Sequence, residues 1–168
     1  FKDKTPFTEG TFIGEGTRLK DETKLFNYHE ELSFEVVRRE PALVVHWFSK
    51  TKSLQTGKPM HSESGFLKVL PKQVGDDTYK AELMLSHPFS VMEYYKSCQF
   101  DFKQQKLECE AQENDFHRGP SAKGRPVGYF KRELKREGDT LKYDSFMAVT
   151  GEKPHHHLTG ELKLKQKG

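Results

Sequence analysis

The stretch L-K-Y-D-S-F-M-A-V-T-G-E-K-P-H-H-H-L-T-G-E-L-K-L-K-Q-K-G, Leu141 to Gly168, decides the fold. Leu141, Tyr143 and Met147 share one parity, and Leu158, Leu162 and Leu164 share another beyond a Gly/Pro-containing turn. Apolar residues recurring with a period of two on either side of a short turn specify an antiparallel hairpin. Three histidines, His155 to His157, stand where the second strand begins. An exposed turn accounts for them as well as a binding site does. If the three leucines face inward, a regular strand points His156 in and His157 out. A β-bulge at the strand entrance, common at barrel rims, reverses that assignment.

Working outward, the same alternation recurs along the chain. Phe1 to Glu9 reads as a polar lead-in, and Gly10 to Gly16 as a strand whose glycines mark a bend or a close backbone approach. Thr17 to Leu25 suits a turn or a short helix. Strand patterns follow at Glu31–Arg39, Ala42–Ser49, Pro59–Leu70 (interrupted by Gly65), Tyr79–Ser86, Val91–Lys96 and Phe100–Glu110. Thr51–Lys58 and Asn114–Arg125 read as loops. Val127–Arg136 and Leu141–Val149 form a hairpin around Glu137-Gly-Asp, and the last strand runs from about His157 to Lys165. This gives about ten short strands joined by turns, with no long helix, the pattern of an all-β, up-and-down antiparallel barrel or a sandwich. Short turns without long crossovers favour the barrel, whose interior has room for one small ligand.

The totals agree. A chain of 168 residues predicts a single domain, residues 1–168, with residues 1–9 as lead-in. Thirteen Phe, six Tyr and one Trp spread along it exclude a disordered segment. No apolar run approaches the roughly 20 residues of a membrane helix, and no signal peptide pattern opens the chain, so the expectation is a cytoplasmic protein. If the segment belongs to a longer chain, a nuclear location is the alternative. The net charge of +3 arises from interleaved signs. The Lys131–Arg136 region and the Lys163, Lys165, Lys167 set read as solvated strand faces rather than a nucleic-acid stripe. Cys98 and Cys109 are expected as free thiols in a reducing compartment.

Among candidate residues, His61 shares inward parity with Glu63 and Leu67, where a wall histidine donating to a backbone carbonyl is the ordinary state. Met60 and Met147 suit plain core, and His46 and His87 suit structural or rim positions. Glu22 and Glu63 have no second carboxylate set against them for acid–base work. The histidine triplet lacks the Cys or carboxylate partner of a zinc site. Phosphate-binding, nucleophile-elbow and C-x-x-C patterns are absent from the sequence.

Several runs together resemble the nitrobindin family of haem-binding β-barrels, which also forms the C-terminal domain of a THAP-type zinc-finger protein. They are G-T-F-I-G-E-G (Gly10–Gly16), F-N-Y-H-E-E-L-S-F (Phe26–Phe34), G-K-P-M-H-S-E-S-G-F-L-K (Gly57–Lys68), A-E-L-M-L-S-H-P (Ala81–Pro88), S-A-K-G (Ser121–Gly124), Y-D-S-F-M-A-V (Tyr143–Val149) and H-H-L-T-G-E-L (His156–Leu162). The resemblance spans nearly the whole chain. It implies a ten-stranded lipocalin- or fatty-acid-binding-protein-like barrel with haem b at its mouth. It further implies His157 as axial ligand to the iron, with Met60, His61 and Met147 lining the pocket and Lys123 near a haem propionate. Family members keep ferric iron, bind nitric oxide and isomerise peroxynitrite to nitrate, with no catalytic side chain beyond the iron; a homodimer is compatible with the family.

This chain departs from the family signature G-x-W-x-G-x-G-x-G-x-Y-P-T-I. Phe12 replaces the Trp, Arg18 the last Gly, and Lys20–Thr23 the Tyr-Pro-Thr-Ile run. Glu22 thereby takes the place of a haem-contacting threonine, where an unpaired carboxylate is costly to desolvate. The competing expectation is a barrel that keeps its shape without haem and carries a fatty acid or another small apolar molecule.

Overall fold

In the computed structural model, which describes residues 1–165, ten antiparallel strands close into a ring. They are β1 (Gly10–Lys20), β2 (Thr23–Arg38), β3 (Leu43–Ser53), β4 (Pro59–Gly75), β5 (Thr78–His87), β6 (Val91–Asp101), β7 (Lys106–Gln112), β9 (Val127–Glu137), β10 (Thr140–Val149) and β11 (His155–Leu164). A short β8 (Phe116–Arg118) pairs with the start of β6, outside the ring. Each ring strand pairs with the next in the chain, β7 pairs with β9, and β11 returns to β1. A closed meander leaves no free sheet edge among these ten strands. No helix among the described residues is long and apolar enough to cross a membrane. Lys167 lies outside the described residues.

Period-two patterning sends Leu32 and Phe34, Val45 and Trp47, and Leu83 and Leu85 into the barrel. The outer faces carry cross-strand and same-strand charge pairs such as Lys131–Glu133 at 3.1 Å and Lys106–Glu108 at 2.8 Å. Those outward positions match the solvated-face reading of Lys131–Arg136. Arg132 does not: it has the parity of Phe130 and Leu134, and its side chain, 11% exposed, points into the interior.

Of the two forms open to Thr17 to Leu25, the structure has the turn: β1 runs on to Lys20 and reverses at Asp21–Glu22 directly into β2. Three other expectations are corrected. Phe1 to Glu9 is more than a polar lead-in. It folds under the barrel, where Phe7 is fully buried with its ring 5.3 Å from Phe34 and 5.1 Å from Phe100. Phe100–Glu110 is not one strand, because the chain reverses after Asp101. The Asp101 carboxylate accepts from the backbone N–H groups of Lys103 and Gln104, turn chemistry that overrides the alternation. The reversal sets Cys98 directly opposite Cys109 across β6 and β7, and the two form a disulfide rather than free thiols.

A cavity built around an inward-turned histidine

Leu158 pairs with Ser145 and His156 with Phe146, so His157 is an extra residue inserted into β11. This bulge is the irregularity that turns His157 inward. His157 is 7% exposed while Leu162 keeps its inward parity below it. The bulge is held from outside. Asp21, at the tip of the β1–β2 turn with φ near 53°, gives its N–H to the His156 carbonyl at 3.1 Å. Its carboxylate accepts the His156 N–H at 3.3 Å. The His156 ring faces outward, stacks on Phe146 and bonds the Asp144 carboxylate at 2.8 Å.

Beneath the strand entrances lies a cavity of about 720 Å³, within the range of small-molecule and cofactor sites. His157, Met60, His61, Met147 and Lys123 all line it, as does Arg18. Lys123 is exposed at the mouth. Burial, reinforced by the charge on Arg18 and by His155, lowers the His157 pKa to about 3, so its imidazole is neutral. Its Nδ1 is buried without a protein partner. His61 differs from the satisfied wall histidine expected: its Nδ1 is also buried and unpartnered, and its hydrogen bond is made by its backbone N–H to Thr51. Burial lowers the pKa of His61 as well. Glu22 sits exposed on the β1–β2 turn and is not part of the cavity wall, so the cost of a desolvated carboxylate there does not arise.

Deeper in the barrel stands a charged cluster. Arg132 grips Glu63 through both guanidinium nitrogens at 2.9 and 3.0 Å and reaches Glu93 at 3.0 Å. His87 Nε2 meets Glu93 at 2.9 Å, and the Trp47 N–H donates to Glu63 at 3.3 Å. Burial alone would raise the Glu63 carboxyl, but Arg132 outweighs it and holds the pKa down to about 2. Glu63 thus has the second carboxylate, Glu93, that the sequence did not place against it. Of the structural and rim places open to His87, it takes the structural one, in the cavity wall and tied to Glu93. Ligand atoms of Glu63, His87 and Glu93 lie within 4.8 Å of one another. The guanidinium already supplies the cation they would attract.

A second polar group fills the adjoining wall. Gly16 and Gly160 are paired across β1 and β11, with Tyr28 opposite Gly16 and Tyr143 opposite Gly160. Each tyrosine ring lies over its glycine: a Cβ at Gly16 would fall 2.2 Å from Tyr28, and one at Gly160 2.4 Å from Tyr143. The close approach anticipated from the glycine run is this one. The two hydroxyls meet at 2.5 Å, Tyr143 donates to Glu30, and Ser49 donates to the other Glu30 oxygen at 2.6 Å. Burial raises the Glu30 pKa to about 7. The sequence did signal these residues. Glu30 shares the parity of Leu32 and Phe34, and Arg132 that of Phe130 and Leu134, and a charge at a core position requires a partner.

A closed meander with a cavity at one end and a neutral histidine in its wall belongs to the lipocalin-like class of ligand-binding barrels. The chain belongs to the family described as "THAP4-like, heme-binding beta-barrel domain", whose model matches residues 6–164. Haem is the cofactor of that family. Among curated relatives, a "Peroxynitrite isomerase" of Nocardia farcinica is 31% identical over 155 residues, covering 92% of this chain and 84% of that one. "Peroxynitrite isomerase 1" of Rhodococcus jostii is 32% identical, covering 94% of this chain and 80% of the relative. The crystal structure of Rv2717c from M. tuberculosis superposes with a TM-score of 0.75 at 25% identity, covering 96% and 94% of the two chains.

Proposed function

We propose that this chain is a haem b protein that converts peroxynitrite to nitrate, with His157 as the protein ligand to iron. The bulge that turns His157 into the cavity is the observation that carries this reading. A neutral imidazole is the ligating form, and burial holds His157 in it. The residues present fit the group. Phe26, Phe130 and Leu158 offer an apolar wall to a flat macrocycle, and Arg18 and Lys123 offer positive charge to its propionates. When bound, haem supplies a Lewis-acidic iron that polarises the oxidant.

The chain does the rest. His157 donates an electron pair, the apolar wall excludes water, and the cations at the mouth attract an anionic substrate. Peroxynitrite and nitrate have the same atoms and charge, so their interconversion needs no net proton or electron. That suits a wall in which His157 and His61 are held neutral. Nitric oxide is a second small ligand for the same iron.

A fatty acid fits the depth of the barrel less well. Its carboxylate would meet Glu30, Glu63 and Glu93, and the guanidinium of Arg132 is already taken by two of them. The test is to mix the haem-loaded chain with peroxynitrite and measure nitrate against nitrite. Nitrate should dominate with the parent and fall to the uncatalysed share with His157→Ala. Equal yields from parent, variant and haem-free chain would overturn the reading.

A further inference from the structure

The Tyr28–Tyr143–Glu30 chain has no part in an isomerisation that exchanges neither protons nor electrons, yet the barrel is shaped around it. Two glycines are cleared so that the two rings lie against the wall. Their hydroxyls meet at 2.5 Å, and one of them is bonded to a carboxylate that Ser49 fixes from its other side. Tyr28, Glu30, Ser49 and Tyr143 all border the cavity in which His157 stands. A phenol is oxidised readily only when its proton has somewhere to go as the electron leaves, and here a carboxylate oxygen already accepts that proton.

We propose that Tyr28 and Tyr143 form a redox-active pair that reduces one-electron oxidants of the nitrogen dioxide class inside the cavity, with Glu30 as the proton acceptor. The proposal rests on the peroxynitrite reading for its oxidant, because peroxynitrous acid that escapes isomerisation releases nitrogen dioxide by homolysis. In the step, the Tyr143 O–H bond breaks. The electron passes to nitrogen dioxide, which becomes nitrite, and the proton passes to the Glu30 carboxylate. The Tyr28 hydroxyl then donates to the phenoxyl oxygen and stabilises it. An external one-electron reductant restores the phenol. If a second nitrogen dioxide arrives first, it forms a C–N bond at the ring carbon beside the oxygen. The hydrogen on that carbon moves to the oxygen, leaving 3-nitrotyrosine.

No other tyrosine combines a carboxylate acceptor with a place on the cavity wall. The Tyr95 hydroxyl accepts from the Arg132 guanidinium at 3.0 Å, a cation that disfavours loss of an electron. Tyr94 bonds Glu82 on the outer wall, and neither it nor Tyr79 nor Tyr129 borders the cavity.

Two experiments on the full chain test the pair. In the first, the haem-loaded protein is exposed to peroxynitrite and the nitrated tyrosines are mapped by mass spectrometry. Nitration should fall on Tyr143 and Tyr28, and nitration confined to Tyr79, Tyr94 and Tyr129 would overturn the proposal. In the second, azidyl radicals are generated in the haem-free chain and the tyrosyl radical is followed by electron paramagnetic resonance. This arm needs no haem, so it separates failure of the pair from failure of the His157 reading. With Tyr94→Phe as the background, which removes the outer phenol bonded to Glu82, the signal should fall sharply in Tyr143→Phe, which keeps the ring over Gly160, and should form more slowly in Glu30→Gln. A signal of parental size in the Tyr28→Phe/Tyr143→Phe double variant would contradict the pair.

Discussion

His157 and Glu30 face one cavity and are displaced from their ordinary ionisation in opposite senses, and both displacements set the pH dependence of stability. Burial lowers the His157 pKa to about 3, so the folded chain binds fewer protons there than the unfolded chain. Its contribution is present above the unfolded value and is lost as pH falls toward 3. Burial raises the Glu30 pKa from 4.5 to about 7, the opposite case. Its contribution is complete below 4.5 and is lost as pH rises through about 7. Glu30→Gln removes that loss. Relative to the parent, the variant should gain on the order of 3 kcal/mol between about pH 4 and about pH 8. Urea unfolding at the two pH values measures it, and a pH-independent difference would contradict the assignment. Arg132 sets a larger stake. Arg132→Ala leaves Glu63 and Glu93 buried without their cation and should cost about 3–5 kcal/mol in the same assay.

At the scale of elements, the bulge in β11 depends on the neighbouring β1–β2 turn. Asp21 holds both backbone groups of His156 where the β1–β11 ladder has ended at the Arg18–Leu158 pair. Asp21→Ala should therefore loosen the entrance of β11 and weaken haem binding by about tenfold, the low end of the loss seen when a group orienting a metal ligand is removed. Asp21→Asn keeps an acceptor oxygen and should restore it. Faster amide hydrogen exchange at His156 in Asp21→Ala, measured without haem, reports the loosening directly. Unchanged exchange would show that the turn does not hold the bulge.

The alternation of Leu141–Val149 and the leucines of β11 made the hairpin legible in the sequence. The bulge was legible only as one of two possibilities, because the period-two pattern leaves open where an inserted residue sits. The departure at Lys20–Thr23 pointed to Glu22 when the structural role belongs to Asp21. A turn's direction out of the barrel depends on its backbone, which residue matching does not fix.

For the whole molecule, the order of strands and the closed barrel followed from short turns between alternating runs. What escaped were contacts between segments distant in sequence. Phe7 closes the end of the barrel opposite the cavity by packing on Phe34 and Phe100. Cys98 meets Cys109 only because the chain reverses after Asp101. The charged cluster joins Glu63 of β4, Glu93 of β6 and Arg132 of β9. None of these partners is signalled by local spacing, and each is set by ring closure. The same closure brings Tyr28 of β2 to Tyr143 of β10.

The central claim is that this barrel presents His157 to haem iron, and hemin titration of the purified chain tests it most directly. The parent should develop a Soret band that saturates at one haem per chain. His157→Ala should lose the band's ligated form and weaken binding by at least about 100-fold, beyond the loss expected from removing a group that only orients the ligand. A parent without a specific band, or a variant that binds hemin with the parental spectrum and affinity, would contradict the account.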